Sequence, residues 1–205
     1  MRVITDVEKS FGWLGRFPLA VDLADTVRVV GDREVELLED EATLGVWIAA
    51  ELSRYPSARA AQGRLDDVRE LRDLVRGLLM AHAREEPLSA SGIESINAVS
   101  ARSPSFPILS RDGDREIVDI NDDPFDMFAA EVARSLIEVI SGDSSPVGRC
   151  TAPRCGMFFV PMSRRQRWCS PECGNRARVA RHATRAAVER SSKAGTSAGE
   201  KPPSG

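Results

Sequence analysis

RCTAPRC at 149–155, GMFFVPMSRRQRW at 156–168 and CSPECGNR at 169–176 form one continuous stretch that holds all four cysteines of a 205-residue chain. Their spacing is C-x4-C-x13-C-x3-C. Two close pairs separated by a short spacer suit tetrahedral Zn(II), because each pair grips the ion from one local turn with thiolate bonds of about 2.3 Å. Four sulfurs leave no open position for water, so such a site stabilises a fold and does not activate a hydrolytic water. Two disulfides, or four buried thiols, are the competing readings. The first 25 residues show no basic stretch followed by an apolar run, and cysteine clustering without an export signal favours a metal in a reducing compartment. Cys150, Cys155, Cys169 and Cys173 are therefore expected to hold one structural Zn2+.

Around the ligands the local chemistry suggests a treble-clef-like finger. Gly156, directly after the second cysteine, permits the tight left-handed turn of a knuckle in which backbone amides point at sulfur. Phe158 to Val160 read as a strand and Gln166 to Trp168 as a returning one. Pro171 suits the start of a helix that Cys173 enters in its first turn, where the helix dipole favours a thiolate.

That helix is strongly basic. On a wheel at 100° per residue, Arg178, Arg181 and Arg185 fall within about 60° of one another. Val179, Ala180, Ala183, Ala186 and Ala187 lie opposite, as a small-residue face suited to docking. Arg164, Arg165 and Arg167 add charge from the expected hairpin, and Arg149 and Arg154 lie at its border. Arginine presents a planar fork that matches phosphate and the guanine edge, so a cluster on a zinc-held frame is a candidate duplex-binding surface. Phosphate contact is the broader expectation, and Asn175, Arg176 and Arg178 are the candidates for base contact by position. The competing reading pairs these arginines with the acidic N-terminal part or with another protein. Trp168 could stack on a base, although a tryptophan beside a zinc ligand more commonly completes a minimal core.

Toward the N-terminus the chain reads as mainly helical. DEATLGVWIAAEL from Asp40 has an N-cap candidate and an acidic first turn, with Leu44, Trp47, Ile48 and Leu52 at helical spacing. Residues 63–84 place Leu65, Val68, Leu71, Leu74, Val75, Leu78 and Leu79 along one stripe, with Arg64, Arg69, Arg72 and Arg76 mostly outside it. PLSASGIESINAVS (87–100) reads as a loop and a short helix burying Ile93, Ile96 and Val99. FPILS and REIVDI flank Arg111-Asp112-Gly113-Asp114, a hairpin signal. Asp122, Asp123 and Pro124 then cap FDMFAAEVARSLIEVI, which Gly142 ends.

The expected fold class is mainly α with a small β element (α+β), a helical N-terminal domain followed by a treble-clef-like zinc finger with four cysteine ligands. The expected division is a domain over 1–141, a linker over 142–148, the finger with its basic helix over 149–190 and a disordered tail over 191–205 that lacks large apolar residues. Hydrophobic residues at 42% and charged residues at 29% describe a soluble globular chain, and no apolar run is long enough to span a membrane. The net charge of -3 conceals a division. Residues 1–147 carry 16 Arg/Lys against 28 Asp/Glu, a balance of -12, and residues 148–205 carry 12 against 3, a balance of +9.

At CGMFF, SRRQRWCS and CGNRARVARHATR the chain resembles the CGNR zinc-finger family, whose signature tetrapeptide is Cys173-Gly174-Asn175-Arg176 here. FPLAVDLADTV, LRDLVRGLL and INAVS resemble more weakly the ABATE domain that precedes this finger in that family, whose members are described as stress-induced transcription regulators. The resemblance implies a bacterial DNA-binding regulator, cytoplasmic and nucleoid-associated, with cysteines 150, 155, 169 and 173 as zinc ligands. Two departures stand out. Val160-Pro161 occupies the place where the family often has an Asp after the knuckle, and many members space the second cysteine pair one residue wider.

No HExxH, GxSxG, P-loop or GxGxxG is present, and the two histidines, His82 and His182, have no recognisable partner pattern. A non-enzymatic role is expected. Asp22, Asp25 and Thr26 either line a pocket for a small-molecule effector in the N-terminal domain or, as such residues more commonly do, satisfy local backbone. Three functional classes remain: DNA-binding regulator, zinc-stabilised protein-protein adaptor and RNA-binding module. No heptad seam points to a dimer.

Overall fold

The computed structural model describes residues 15–30, 33–142, 147–163 and 165–196. Residues 1–14, Gly31 and Asp32, most of the expected linker (143–146), Arg164 and the end of the expected tail (197–205) lie outside the described residues. The fold is mainly helical, with three small antiparallel strand pairs.

The body is assembled around α1 (Leu19–Ala24), a short helix whose six residues are all buried, Asp22 included. From it the chain runs into β1 (Val27–Val30), paired antiparallel with β2 (Arg33–Glu36), with Val27 opposite Glu36 and Val30 opposite Arg33. Helix α2 (Glu41–Glu51) starts at the expected cap. The Asp40 carboxylate accepts from the Thr43 amide at 2.8 Å, and the Thr43 hydroxyl accepts from the Asp40 amide at 3.0 Å, a reciprocal capping box. It buries Leu44, Trp47 and Ile48, and a 3-10 turn (Pro56–Ala61) follows.

Helix α3 (Leu65–Ala83) buries Val68, Leu71, Val75, Leu78 and Leu79, as its periodicity requires. The arginines beside that stripe are not simply solvated. Arg72 is itself buried and bonds Glu36 of β2 at 2.6 Å. Arg69 donates to the Leu38 carbonyl at 2.7 Å, and Arg76 donates to the Val27 carbonyl and pairs with Glu34. The basic flank of α3 thus clasps the β1–β2 hairpin, a role that helical periodicity alone does not reveal.

Helix α4 (Ala90–Ala101) buries Ile96 and Val99, whereas Ile93 is 40% exposed and does not join the core. The expected Asp-Gly hairpin is present as β3 (Ser105–Leu109) and β4 (Arg115–Asp119), with Gly113 at φ +86 in its turn. Helix α5 (Pro124–Ser141) is capped by Asp123, whose carboxylate accepts from Phe125 and Asp126, both at 2.9 Å. Its Phe128 meets Trp47 edge-on, ring centroids 6.3 Å apart, at the centre of the core.

The C-terminal part comprises β5 (Gly148–Arg149), β6 (Phe158–Phe159) and α6 (Pro171–Thr196). β6 pairs with β5, and not with Gln166–Trp168, which forms no strand. Gln166 explains the difference: its side chain accepts from the Met162 amide and donates to the Trp168 carbonyl, so local bonds replace a strand ladder. Helix α6 continues to Thr196, six residues into the stretch expected to be a disordered tail.

Candidate metal centre and basic helix

The knuckle is built by the backbone. The Cys150 amide donates to the Met157 carbonyl at 2.8 Å and Gly156 donates back to the Cys150 carbonyl at 3.1 Å, which closes the loop carrying the first cysteine pair. Gly156 sits at φ +78, the left-handed region that disfavours any side chain. It also lies so close to β1 that a Cβ there would come within 2.8 Å of Val29. Conformation and packing therefore both require glycine at the expected position. Cys169 precedes α6, and Cys173 is buried in its first turn.

The four ligand sulfurs converge within 4.8 Å of one another, with Cys155 and Cys169 at 3.6 Å and Cys169 and Cys173 at 3.5 Å. Thiolate bonds of about 2.3 Å to tetrahedral corners put sulfurs about 3.8 Å apart, close to the two contacts above, so the cluster has the dimensions of a Zn(II) site. Hydrogen bonds from Cys155 and then Cys169 hold the Cys150 thiol well below its usual value, and the same bonds push Cys155 and Cys169 up. Crowded sulfurs resist carrying several negative charges together, whereas a divalent cation stabilises all four as thiolates. The donor set, its burial and its spacing make this a site for one structural zinc.

The finger has its own small core, with Met157, Phe159, Ala152 and Ala177 packed around the cysteines and Trp168 partly buried against them. Gly174 leaves room for the indole, since a Cβ there would lie 3.2 Å from it. Trp168 therefore completes the core. Phe158 points the other way and is fully buried in the core of the body. Its amide donates to the Asp25 carboxylate at 2.8 Å. Thr26 donates to the Leu23 carbonyl at 2.7 Å, and Asp22 accepts from Arg54 at 2.9 Å and from the Gly15 amide at 3.1 Å. These three residues satisfy backbone and an arginine, and Asp25 also fastens the finger. The segment that could have lined a pocket is a structural junction.

Beyond its first two turns α6 leaves the rest of the protein. Ala177 is buried, but Val179 is 61% and Val188 63% exposed, and Ala183 and Ala187 are exposed too. The docking face is thus Cys173, Gly174 and Ala177, and not the small-residue face read from the sequence, of which Ala180 and Ala186 are only partly buried and the rest exposed. Arg178, Arg181 and Arg185 form the expected row on the exposed helix, and His182 joins them. The spacing 178, 181, 182, 185 could have shown that histidine. Arg181 lies over Trp168, 5.9 Å from the ring centroid, and donates to the Ala177 carbonyl at 3.3 Å, which ties the row to the finger core. Arg165, Arg167 and Asn175 are exposed. Arg176 donates to the Cys173 sulfur at 2.9 Å.

The opposite charges of the two halves do not join in these contacts. Among the described residues, no finger arginine forms a salt bridge with a carboxylate of the body, and Arg185 pairs along α6 with Glu189 at 3.8 Å, both exposed. No described helix is long and apolar enough to cross a membrane.

Comparison with known families gives two matches in chain order. The ABATE model, described as "Putative stress-induced transcription regulator", matches residues 18–143, and the CGNR zinc finger model matches residues 147–186. No curated protein matches the chain. The two matches meet within the segment between α5 and β5, and both are of regulator or zinc-finger type.

Proposed function

The chain belongs to the ABATE family and carries a CGNR zinc finger, and from that premise we propose that it is a DNA-binding transcription regulator, without enzymatic activity, acting in the cytoplasm at the nucleoid. The observation that carries this reading is the row of Arg178, Arg181 and Arg185, with His182, on a helix that is anchored at one end by the metal centre and stands free of the body beyond it. Three guanidinium groups on one helix face, spaced over two turns and, among the described residues, without a salt bridge to a body carboxylate, offer a rigid comb for phosphates. Exposed Arg165, Arg167 and Asn175 extend that surface around the finger. The helix is the element that would enter or follow a groove, and the zinc knuckle sets its direction.

The body is the regulatory half. Its link to the finger runs through Asp25 and Phe158, so a change that repacks α1 is felt at β6. A small-molecule effector acting on the body is the matching expectation, and thermal-shift screening against metabolites tests it: repeated absence of any shift removes the effector.

Nucleic-acid class is tested by competition. Zinc-loaded protein on a labelled duplex DNA should be displaced by unlabelled duplex DNA at lower concentration than by structured RNA or single strands of equal length. Preference for RNA would make the finger an RNA-binding module. Absence of binding to any nucleic acid by fully zinc-loaded protein would point to a protein-protein adaptor.

A further inference from the structure

We propose that Arg176 is a positioning residue of the zinc centre, holding the Cys173 thiolate and offsetting its charge, and not a nucleic-acid contact. Its guanidinium donates to the Cys173 sulfur at 2.9 Å. That bond joins the sulfur–sulfur contacts of Cys155 with Cys169 and of Cys169 with Cys173. The helix dictates this contact. Side chains on a helix lean toward its N-terminus, so a residue three positions after Cys173 reaches back over the turn that carries the ligand.

The same geometry takes Arg176 away from the basic row. At 100° per residue, Arg178, Arg181 and Arg185 lie roughly 140–200° around the helix from it, on the far side. Asn175 and Arg176 of the Cys173-Gly174-Asn175-Arg176 tetrapeptide are both exposed, and they separate in role because the Arg176 guanidinium reaches back to the Cys173 sulfur.

Electrostatics gives the contact its purpose. Four thiolates around one divalent cation leave an excess of two negative charges, and Cys150, Cys155 and Cys173 are all buried. A charge-assisted bond from a guanidinium offsets part of that excess and fixes the direction of the Cys173 side chain, as outer-shell partners of metal ligands do elsewhere. The inference rests on the zinc centre alone and stands whether or not the protein binds DNA.

The test uses the zinc-loaded full-length chain with Arg176→Ala, Arg176→Lys and, as an exposed control on the same helix, Arg178→Ala. Zinc affinity is measured by competition with a chromogenic chelator, and duplex-DNA affinity is followed against salt. Arg176→Ala should lose about 10- to 100-fold in zinc affinity, Arg176→Lys should recover part of that loss, and Arg178→Ala should retain zinc like the unmodified chain. An unchanged zinc affinity in Arg176→Ala overturns the inference, and so does a loss that lysine does not reduce. A salt slope lowered by about 0.9 with zinc retention intact would return Arg176 to the phosphate contacts.

Discussion

Asp22 and Asp25 sit three residues apart on a fully buried segment, and each is pulled two ways by its surroundings. Burial, reinforced by Glu51, pushes the Asp22 carboxyl up to about 7, more than the Arg54 bond and the Gly15 amide lower it. A native pKa raised above 3.8 means that the folded chain holds a proton the unfolded chain has released, so this group's contribution is full below about pH 4 and is lost as pH rises toward 7. Asp22→Asn removes that penalty. In paired urea titrations, the variant should gain on the order of 2 kcal/mol relative to the unmodified chain between pH 5 and 7.5, a difference in which the metal's own pH dependence cancels. A constant gap across that range would contradict it. Burial likewise raises Asp25, while the Phe158 amide lowers it. Asp25→Ala strands that buried amide and should cost about 1–3 kcal/mol, whereas Asp25→Asn keeps an acceptor and should cost less. Equal losses in denaturant midpoints would count against the junction. Sequence could nominate these two aspartates but not assign them, because the partner of Asp25 is 133 residues away along the chain.

Elements with strong periodicity and explicit caps were legible. Asp40 with Thr43 and Asp123 with Pro124 place the starts of α2 and α5, and the leucine stripe places α3. The β1–β2 hairpin was missed although Gly31-Asp32, between VRVV and the alternating REVE, is a recognised two-residue loop signal, because the run before it begins as a buried helix. The returning strand at Gln166–Trp168 failed for a different reason, since one glutamine side chain satisfies the local backbone there. Gly156 is where sequence and structure agree most closely. Gly156→Ala demands a side chain at φ +78 and against Val29, and should cost about 1–3 kcal/mol together with weaker zinc retention. A neutral result in thermal melts would show that the knuckle relaxes away from β1.

At the scale of the whole molecule, the charge division between the halves was plain in the sequence, but its consequence was not. Opposite balances of -12 and +9 left open whether the halves meet each other or different partners. The finger joins the body through the apolar Phe158 and the buried Asp25, and the arginine row is exposed. Wheel geometry correctly grouped the arginines yet could not tell which helix face docks, since α6 outruns the body after two turns. The shared core predicts coupled stability. Removing zinc with a chelator should lower the melting temperature of the entire chain by several degrees, because losing the finger withdraws Phe158 from the body. A body transition untouched by the chelator would mean that the two parts fold independently.

The most direct measurement is the affinity of zinc-loaded protein for mixed duplex DNA across a series of salt concentrations, beside the Arg178, Arg181 and Arg185 triple alanine variant. The expected result is an affinity that falls steeply with salt, and a slope that flattens in the variant by about 0.9 for each phosphate no longer neutralised, about 2.7 in total. Equal slopes for the two proteins, or no binding by either with zinc in place, would contradict α6 as the nucleic-acid surface.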